Sequence, residues 1–307
     1  MWALLALLTL FWGLNWPMMK LALSELPVWS FRAACVATGA IGLFAIARAG
    51  GLAVRVPEGQ WPRLMLTAFF NISVWNVLIA YGLSQLPSGR TAILAYTMPV
   101  WVVLLSTFVL KERLTTRRLL GLALGMSGML LLIGSELATL QSAPVGALLV
   151  VGAALSWSVG TVLMKRFPTQ LPTTSFVAWQ LAVGGLPVIV GALILDWGTL
   201  QPISWKPAIG LLYNMFIAFI FCHWAWFKLA TTAPAGVAAL STMMIPVVGV
   251  FSGMLVLGEQ PGWPEFSALL LVILALATVL VPSRNAADRA GKPEPGPQGP
   301  RDSGHAA

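Results

Sequence analysis

The sequence predicts an all-α membrane protein, with ten transmembrane helices laid out as two inverted five-helix repeats around a central cavity. Three observations carry that expectation. The first is composition: the 307-residue chain is 58% hydrophobic and only 9% charged, with a mean hydropathy of +0.85. A soluble domain carries about 25% charged residues, so most of this chain must lie in lipid. At roughly 20 apolar residues per crossing there is room for about ten helices and little else.

The second observation is an internal repeat. A shift of 145 residues carries Trp12 onto Trp157, Met19 onto Met164, Lys20 onto Lys165, Leu26-Pro27 onto Leu171-Pro172, Ser30-Phe31 onto Ser175-Phe176 and Gly39 onto Gly184. A shift of 147 pairs Pro87 with Pro234, Gly89 with Gly236, Pro99 with Pro246, Leu110 with Leu257 and Glu112 with Glu259. Repeated halves in an apolar chain are the usual architecture of a secondary transporter, with its site between them.

The third is the placement of Lys and Arg, which collect on the cytoplasmic side of membrane proteins. With a cytoplasmic N-terminus, the inside loops hold Arg48, Arg55, Arg63, Lys111, Arg113, Arg117, Arg118, Lys165, Arg166 and Lys228, and the tail adds Arg284, Arg289, Lys292 and Arg301. The outside holds Lys20, Arg90 and Lys206, with Arg32 just within the second span. Both termini are therefore expected inside. Five spans per repeat is an odd number, so the second half crosses upside down relative to the first, which gives two nearly equivalent ways to open.

The expected spans are 2–22, 30–47, 64–84, 90–110, 119–134, 146–165, 175–195, 207–227, 236–257 and 265–282. The first has no basic n-region and no small-residue cleavage site, so it reads as a retained helix rather than a signal peptide. Short connections carry the expected breakers: Leu26-Pro27, Pro57, Pro87-Ser88-Gly89, Pro144, Pro172, Pro234 and Pro261. The repeats run over 1–140 and 141–282, and the polar, Pro- and Gly-rich stretch 283–307 reads as a disordered cytoplasmic tail. Trp29, Trp61, Trp197, Trp205 and Trp263 fall at span ends, where indoles favour the headgroup region. Cys35 and Cys222 lie inside apolar segments and suit neither a metal nor a disulfide, so both read as packing residues. No cofactor is expected. The net charge of +8 is spread over loops and tail as topology signals, not as a nucleic-acid surface.

Several stretches resemble the EamA-type transporters of the drug/metabolite transporter superfamily. They are LLTLFWGLNWPMMKLAL, LPVWSFR and SGRTAILAYTMPVWVVLLSTFVLKERLTTRRLLGLALGMSGMLLLIG, repeated in the second half as WSVGTVLMKRF and PAGVAALSTMMIPVVGVFSGMLVLGE. The resemblance covers residues 1 to 282 and implies export of amino acids or other small metabolites across the bacterial inner membrane. Trp75, Asn76 and Tyr96 occupy positions similar to those of aromatic amino-acid exporters of the YddG type.

A solute path needs groups that lipid rejects, so polar residues deep in spans are the candidates. Asn15 lies in the first span, flanked by Trp12 and Trp16. The two indoles share a helix face, and Pro17 breaks the ladder beside them. The alternative is a packed Trp/Pro kink with Asn15 bonded to another helix. Trp157 and Thr161 lie on one face of the sixth span. Asn76 and His223 form a symmetry-related polar pair next to Trp75 and Cys222, either lining a pocket or satisfying interhelical bonds. Tyr96 with Pro99, and Ser241-Thr242 with Pro246, offer freed carbonyls, or only kinks and hinges. Gln180 is a weaker lining candidate. Arg32 suits a carboxylate, yet its position near the outer end favours snorkelling to water or pairing with Glu25. Glu112 and Glu259 read as capping or gating residues.

All ten acidic residues (Glu25, Glu58, Glu112, Glu136, Asp196, Glu259, Glu265, Asp288, Glu294 and Asp302) fall in loops, at span ends or in the tail. Mid-membrane carboxylates are common in ion-coupled carriers. His223 is left as the mid-span group whose ordinary titration lies near neutral pH. The expectation is an exporter of neutral or aromatic amino acids, facilitative or weakly proton-coupled, whose partners are a small molecule and membrane lipids and for which a monomer suffices. An exporter of drugs or lipid-like amphiphiles, and a non-transporting structural or receptor-like membrane protein, are the competing readings. Nothing at depth supplies the nucleophile and base or the metal cluster that an intramembrane enzyme needs.

Overall fold

The structure is a computed structural model that describes residues 2–111, 115–139, 144–226 and 235–280; for residues 117, 118, 133, 135–139, 235–243, 279 and 280 it describes the backbone alone. The described chain is helical, with no strand. In order the helices are α1 (Trp2–Ala22), α2 (Val28–Ala49), α3 (Trp61–Gln85), α4 (Ser88–Val109), α5 (Thr116–Thr139), α6 (Val145–Arg166), α7 (Thr173–Leu195), α8 (Trp205–Trp226), α9 (Ala235–Leu257) and α10 (Trp263–Leu280). Seven of these (α1 to α4 and α6 to α8) are long and apolar enough to cross a membrane. In α5, α9 and α10 the described apolar stretches are shorter: Leu119–Leu132, Met244–Leu257 and Trp263–Thr278. The chain is a multi-pass membrane protein. The tail expected over 283–307 lies outside the described residues.

Helices start where proline forbids a preceding turn. Pro27, Pro87 and Pro172 occupy the positions before α2, α4 and α7 with ψ near 140°, an extended setting that a pyrrolidine ring favours. The first N–H groups of a helix lack intrahelical acceptors, and lipid supplies none. Carboxylates from other helices fill that need. Asp196, after α7, accepts from Ser30 N at 2.6 Å; Glu259, after α9, accepts from Ser88 N at 2.6 Å and Gly89 N at 3.1 Å. Glu25, after α1, accepts from Ser204 N at 2.6 Å and Ser204 Oγ at 2.7 Å, just ahead of α8. Lys20 performs the converse service, donating to the terminal carbonyls of α3 at Leu83 (3.1 Å) and Leu86.

Packing follows a regular pattern. α2 lies along α7 and α5 along α10; α1 packs on α8 and α9, while α6 packs on α3 and α4. One contiguous core runs through these contacts, from Trp16 and Met19 in α1 to Val272 and Leu276 in α10. Large apolar side chains such as Ile41, Phe108, Ile194 and Leu255 face outward, as a lipid-facing surface requires.

Two repeat-related glycines permit close approaches. Gly39 of α2 sits where a β-carbon would fall 3.1 Å from Phe219 Cβ in α8. At Gly184 of α7 it would meet Ala68 O of α3 at 2.6 Å, with Ser73 Oγ donating to the Gly184 carbonyl at 2.6 Å. The backbone carbonyl cannot swing aside, so bulk is penalised there. Gly184→Val is expected to destabilise the detergent-solubilised protein by about 1–3 kcal/mol through overpacking, read as a lowered melting temperature. An unchanged melting temperature would contradict this contact.

Candidate functional site

The middle of the bundle is built from irregular backbone. In α3 the hydrogen bonding widens to a π-helix over Phe69–Val74, and in α8 over Tyr213–Cys222. A shift of 147 carries the first segment into the second. Such segments concentrate at functional sites. In α4 the helix breaks at Tyr96–Thr97: Thr97 N and Oγ1 both turn back to Leu94 O, at 3.2 and 2.7 Å, and the helix restarts at Met98 with Pro99 in its first turn.

Backbone of this kind survives at membrane depth only where other groups satisfy it or where it lines a cavity. α6 supplies the donors: Ser156 Oγ reaches Phe70 O at 2.7 Å, and Ser158 Oγ reaches Met98 O at 2.8 Å. The hydroxyl of Tyr213 donates to Phe11 O at 2.7 Å, tying α8 to α1.

Around this backbone the candidate side chains form two matching groups. Trp12 meets the His223 ring edge-on at 6.0 Å and Trp226 at 5.8 Å, with Phe219 5.4 Å from His223. His223 Nδ1 is hydrogen-bonded to Ala218 O at 2.8 Å, five residues back across the π segment. In the second group Trp75 lies 5.1 Å from Trp157. Asn76 follows Trp75 and occupies the position equivalent to His223; its amide donates to Ile72 O at 2.8 Å, and its Oδ1 is buried with no partner. Asn15 Oδ1 is likewise buried and unpartnered.

The remaining candidates are placed differently. Trp16 is buried beside Gly249 of α9, so the two indoles that share a face of α1 go to different neighbours. Tyr96 is nearly buried at the α4 break, and Pro246 is buried within α9. Thr161 spends its hydroxyl on Trp157 O at 2.8 Å in its own helix. Gln180 joins Asn71 on the sulfur of Met164, at 3.5 and 3.6 Å, away from both aromatic groups. The Thr242 side chain and Glu112 lie outside the described residues.

One expectation is overturned. Arg32 neither reaches water nor pairs with Glu25. It is 2% exposed, donating to Met19 Sδ, while Glu25 is held by Ser204. The α2 register points Arg32 at α1, and a side chain that turns inward at that point cannot snorkel. The capping role expected of Glu259 is the one observed. The π segments were not foreseen, because hydropathy does not separate an i+5 pattern from an i+4 one. Asn71, Ser156, Ser158 and Tyr213 carried the same signal as Asn15, a polar group inside an apolar run.

A small hollow of about 10 Å³, partly open to solvent, lies at the end of the bundle that holds the α2–α3 and α6–α7 connections. It is lined by Gln60, Arg63, Thr67, Phe167, Thr169 and Phe176 among others, with the Arg63 guanidinium 5.3 Å from the Phe167 ring centre. None of the candidate residues lines it.

Comparison with known proteins decides the class. The sequence profile of the EamA-like transporter family matches residues 1–134 and 144–281. The chain belongs to that family. It is thus a transporter of the drug/metabolite superfamily kind. The chain is 28% identical over 253 residues to the uncharacterized transporter YoaV of Bacillus subtilis (strain 168), covering 82% of this chain and 87% of the relative. It is also 28% identical over 282 residues to a probable amino-acid metabolite efflux pump of Escherichia coli (strain K12), covering 88% and 91%. A solved structure of 22% identity superposes with a TM-score of 0.62 over 93% of this chain and 98% of that one, a likeness of fold.

The tie between α1 and α8 in this EamA-type transporter has a defined pH response. The hydrogen bonds from Ser204, the backbone one foremost, hold the Glu25 carboxyl below the usual glutamate value. A carboxyl depressed in the folded state contributes stability above its unfolded pKa and loses it as pH falls through the folded one. The tie therefore persists across the whole range of about pH 5 to 8 in which histidine titrates. Glu25→Gln is expected to leave the shape of the pH–transport profile unchanged in that range. A shifted profile would show that Glu25 titrates there.

Proposed function

We propose that this EamA-type transporter exports neutral or aromatic amino acids, or closely similar small metabolites, by alternating access between inverted repeats at 1–140 and 141–282. The membrane is the bacterial inner membrane, with both termini cytoplasmic. The observation that carries the substrate reading is the pair of matched aromatic groups, Trp12–His223 and Trp75–Trp157, set beside the unpartnered amide oxygens of Asn15 and Asn76. An amide oxygen accepts from an ammonium, and an indole face takes both an apolar side chain and a cation. Phosphorylated or nucleotide cargo would call for clustered basic residues at that depth. The probable amino-acid metabolite efflux pumps among the relatives support the same reading.

Support for the repeats comes from the packing. Equivalent helices choose equivalent neighbours: α1 takes α8 and α9 as α6 takes α3 and α4, and α2–α7 and α5–α10 are self-matched pairs. The π segments in α3 and α8 occupy equivalent positions. Each half thus carries a π segment at an equivalent position, with a further break at Tyr96–Thr97 in the first, and exchanging the conformations of the two halves opens the opposite side. His223 is the group through which proton coupling would run.

Purified protein in liposomes is expected to take up labelled phenylalanine or tryptophan saturably. Accumulation driven by a pH gradient and abolished by His223→Ala assigns coupling to His223; gradient-independent uptake makes the carrier facilitative. Absence of uptake for every amino acid tested would refute the substrate reading. Asn76→Leu is expected to weaken substrate binding about tenfold or more, the worth of one charge-assisted hydrogen bond of ~1.5–3 kcal/mol, without lowering the melting temperature. A variant that binds substrate as tightly as wild type would remove Asn76 from the site.

A further inference from the structure

Arg32 is a cation that the fold buries and does not satisfy. It lies on α2 with 2% of its surface exposed, its terminal nitrogen donating to the Met19 thioether and its guanidinium carbon 5.1 Å from the Phe31 ring centre. Its Nε has no partner. Thioether sulfur is a weak acceptor, and a charge buried this way is expensive unless an anion joins it. Among the described residues no carboxylate does so. Glu25, Asp196, Glu259 and Glu265 are engaged by Ser204, Ser30, Ser88 with Gly89, and Arg90 respectively.

The second half shows that packing does not demand this charge. Met164, the equivalent of Met19, receives the neutral amides of Gln180 and Asn71 on its sulfur. The guanidinium is a feature of one half only. Its surroundings also carry a complementary acceptor. Asn15 stands one turn from Met19 on the same face of α1, about 6 Å along the helix axis, and its Oδ1 is buried without a donor. An unsatisfied donor and an unsatisfied acceptor thus flank one methionine.

We propose that Arg32 binds the carboxylate of the transported molecule, with Asn15 accepting from its ammonium, so that the α-amino-acid head group is read by charge at both ends. This rests on the amino-acid function proposed above and deepens it. Arg32 presents a planar fork that matches a carboxylate bidentately. Met19, unbranched and free to change rotamer, is the cover that moves aside when substrate enters.

The test uses the full-length protein in detergent and in liposomes, with three probes: phenylalanine, phenylalaninamide (no carboxylate) and phenylpropionate (no ammonium). In wild type, phenylalanine is expected to compete for labelled phenylalanine uptake at least about tenfold better than phenylalaninamide, one missing ion pair being worth that factor or more. In Arg32→Gln the two compete alike, and Arg32→Lys, which keeps the charge and loses the fork, falls between. Phenylpropionate is expected to raise the melting temperature of wild type and not of Arg32→Gln. A merely structural role would shift stability while leaving the preference between the probes intact, and retention of the tenfold preference in Arg32→Gln overturns the proposal. Should wild type ignore phenylalanine yet gain stability from phenylpropionate through Arg32, the amino-acid reading fails and the carboxylate site stands. If no carboxylate stabilises wild type, the site is refuted. Arg32→Lys serves as the folded comparison if the glutamine variant cannot be purified.

Discussion

Lipid offers no hydrogen bonds, so each helix end in this protein must find its partner within the protein itself. The carboxylates meet that demand by reaching across the chain. Asp196 joins the end of α7 to the start of α2, Glu25 joins α1 to α8, and Glu259 joins α9 to α4. Each of these contacts links the first half to the second. The groups that satisfy the helix ends are therefore the same groups that hold the halves together. At the opposite end of the bundle the described residues include a neutral tie: Gln60, ahead of α3, accepts from Thr169 Oγ1 at 2.9 Å and Gln170 N at 3.4 Å. The repeat shift of 145 carries Glu25 onto Gln170. There Gln170 contributes its backbone N–H, where Glu25 contributes its carboxylate. The hollow lies beside this neutral tie.

The middle of the bundle is the complement of its ends. Caps and prolines make the termini regular, while the π segments of α3 and α8 and the break at Tyr96–Thr97 make the centre irregular. Ser156 and Ser158 repair two of the exposed carbonyls. Asn15, Asn76 and Arg32 keep unpartnered atoms.

Much of the architecture was legible in the sequence because proline, glycine and hydropathy act locally. Pro27, Pro87 and Pro172 mark helix starts, and the span readings fall within three residues of the described helix ends except at the end of α5, which runs five residues past the expected 134 to Thr139. The repeat register pairs Trp12 with Trp157, but their ring partners are offset by one position: Trp12 meets His223, the equivalent of Asn76, and Trp157 meets Trp75, the equivalent of Cys222. What could not be read was direction. Arg32 was placed near its span end correctly, yet whether it turned to water or to Met19 depends on the rotation of α2 against α1 and α7. Gln180 looked like a lining residue, but α7 turns it onto Met164. The π segments lie against Gly39 of α2 and Gly184 of α7, and hydropathy carries no record of those tertiary contacts.

The most direct test of alternating closure places a cysteine pair at each tie: Glu25→Cys with Ser204→Cys, and Gln60→Cys with Thr169→Cys. The native Cys35 and Cys222 are both buried, so a short thiol cross-linker addresses the introduced pairs. Uptake of labelled amino acid into liposomes is then measured before cross-linking, after it, and after release by a reductant. Alternating closure predicts that either cross-link alone stops transport and that reduction restores it. Transport that continues at the wild-type rate with one tie fully cross-linked would contradict it.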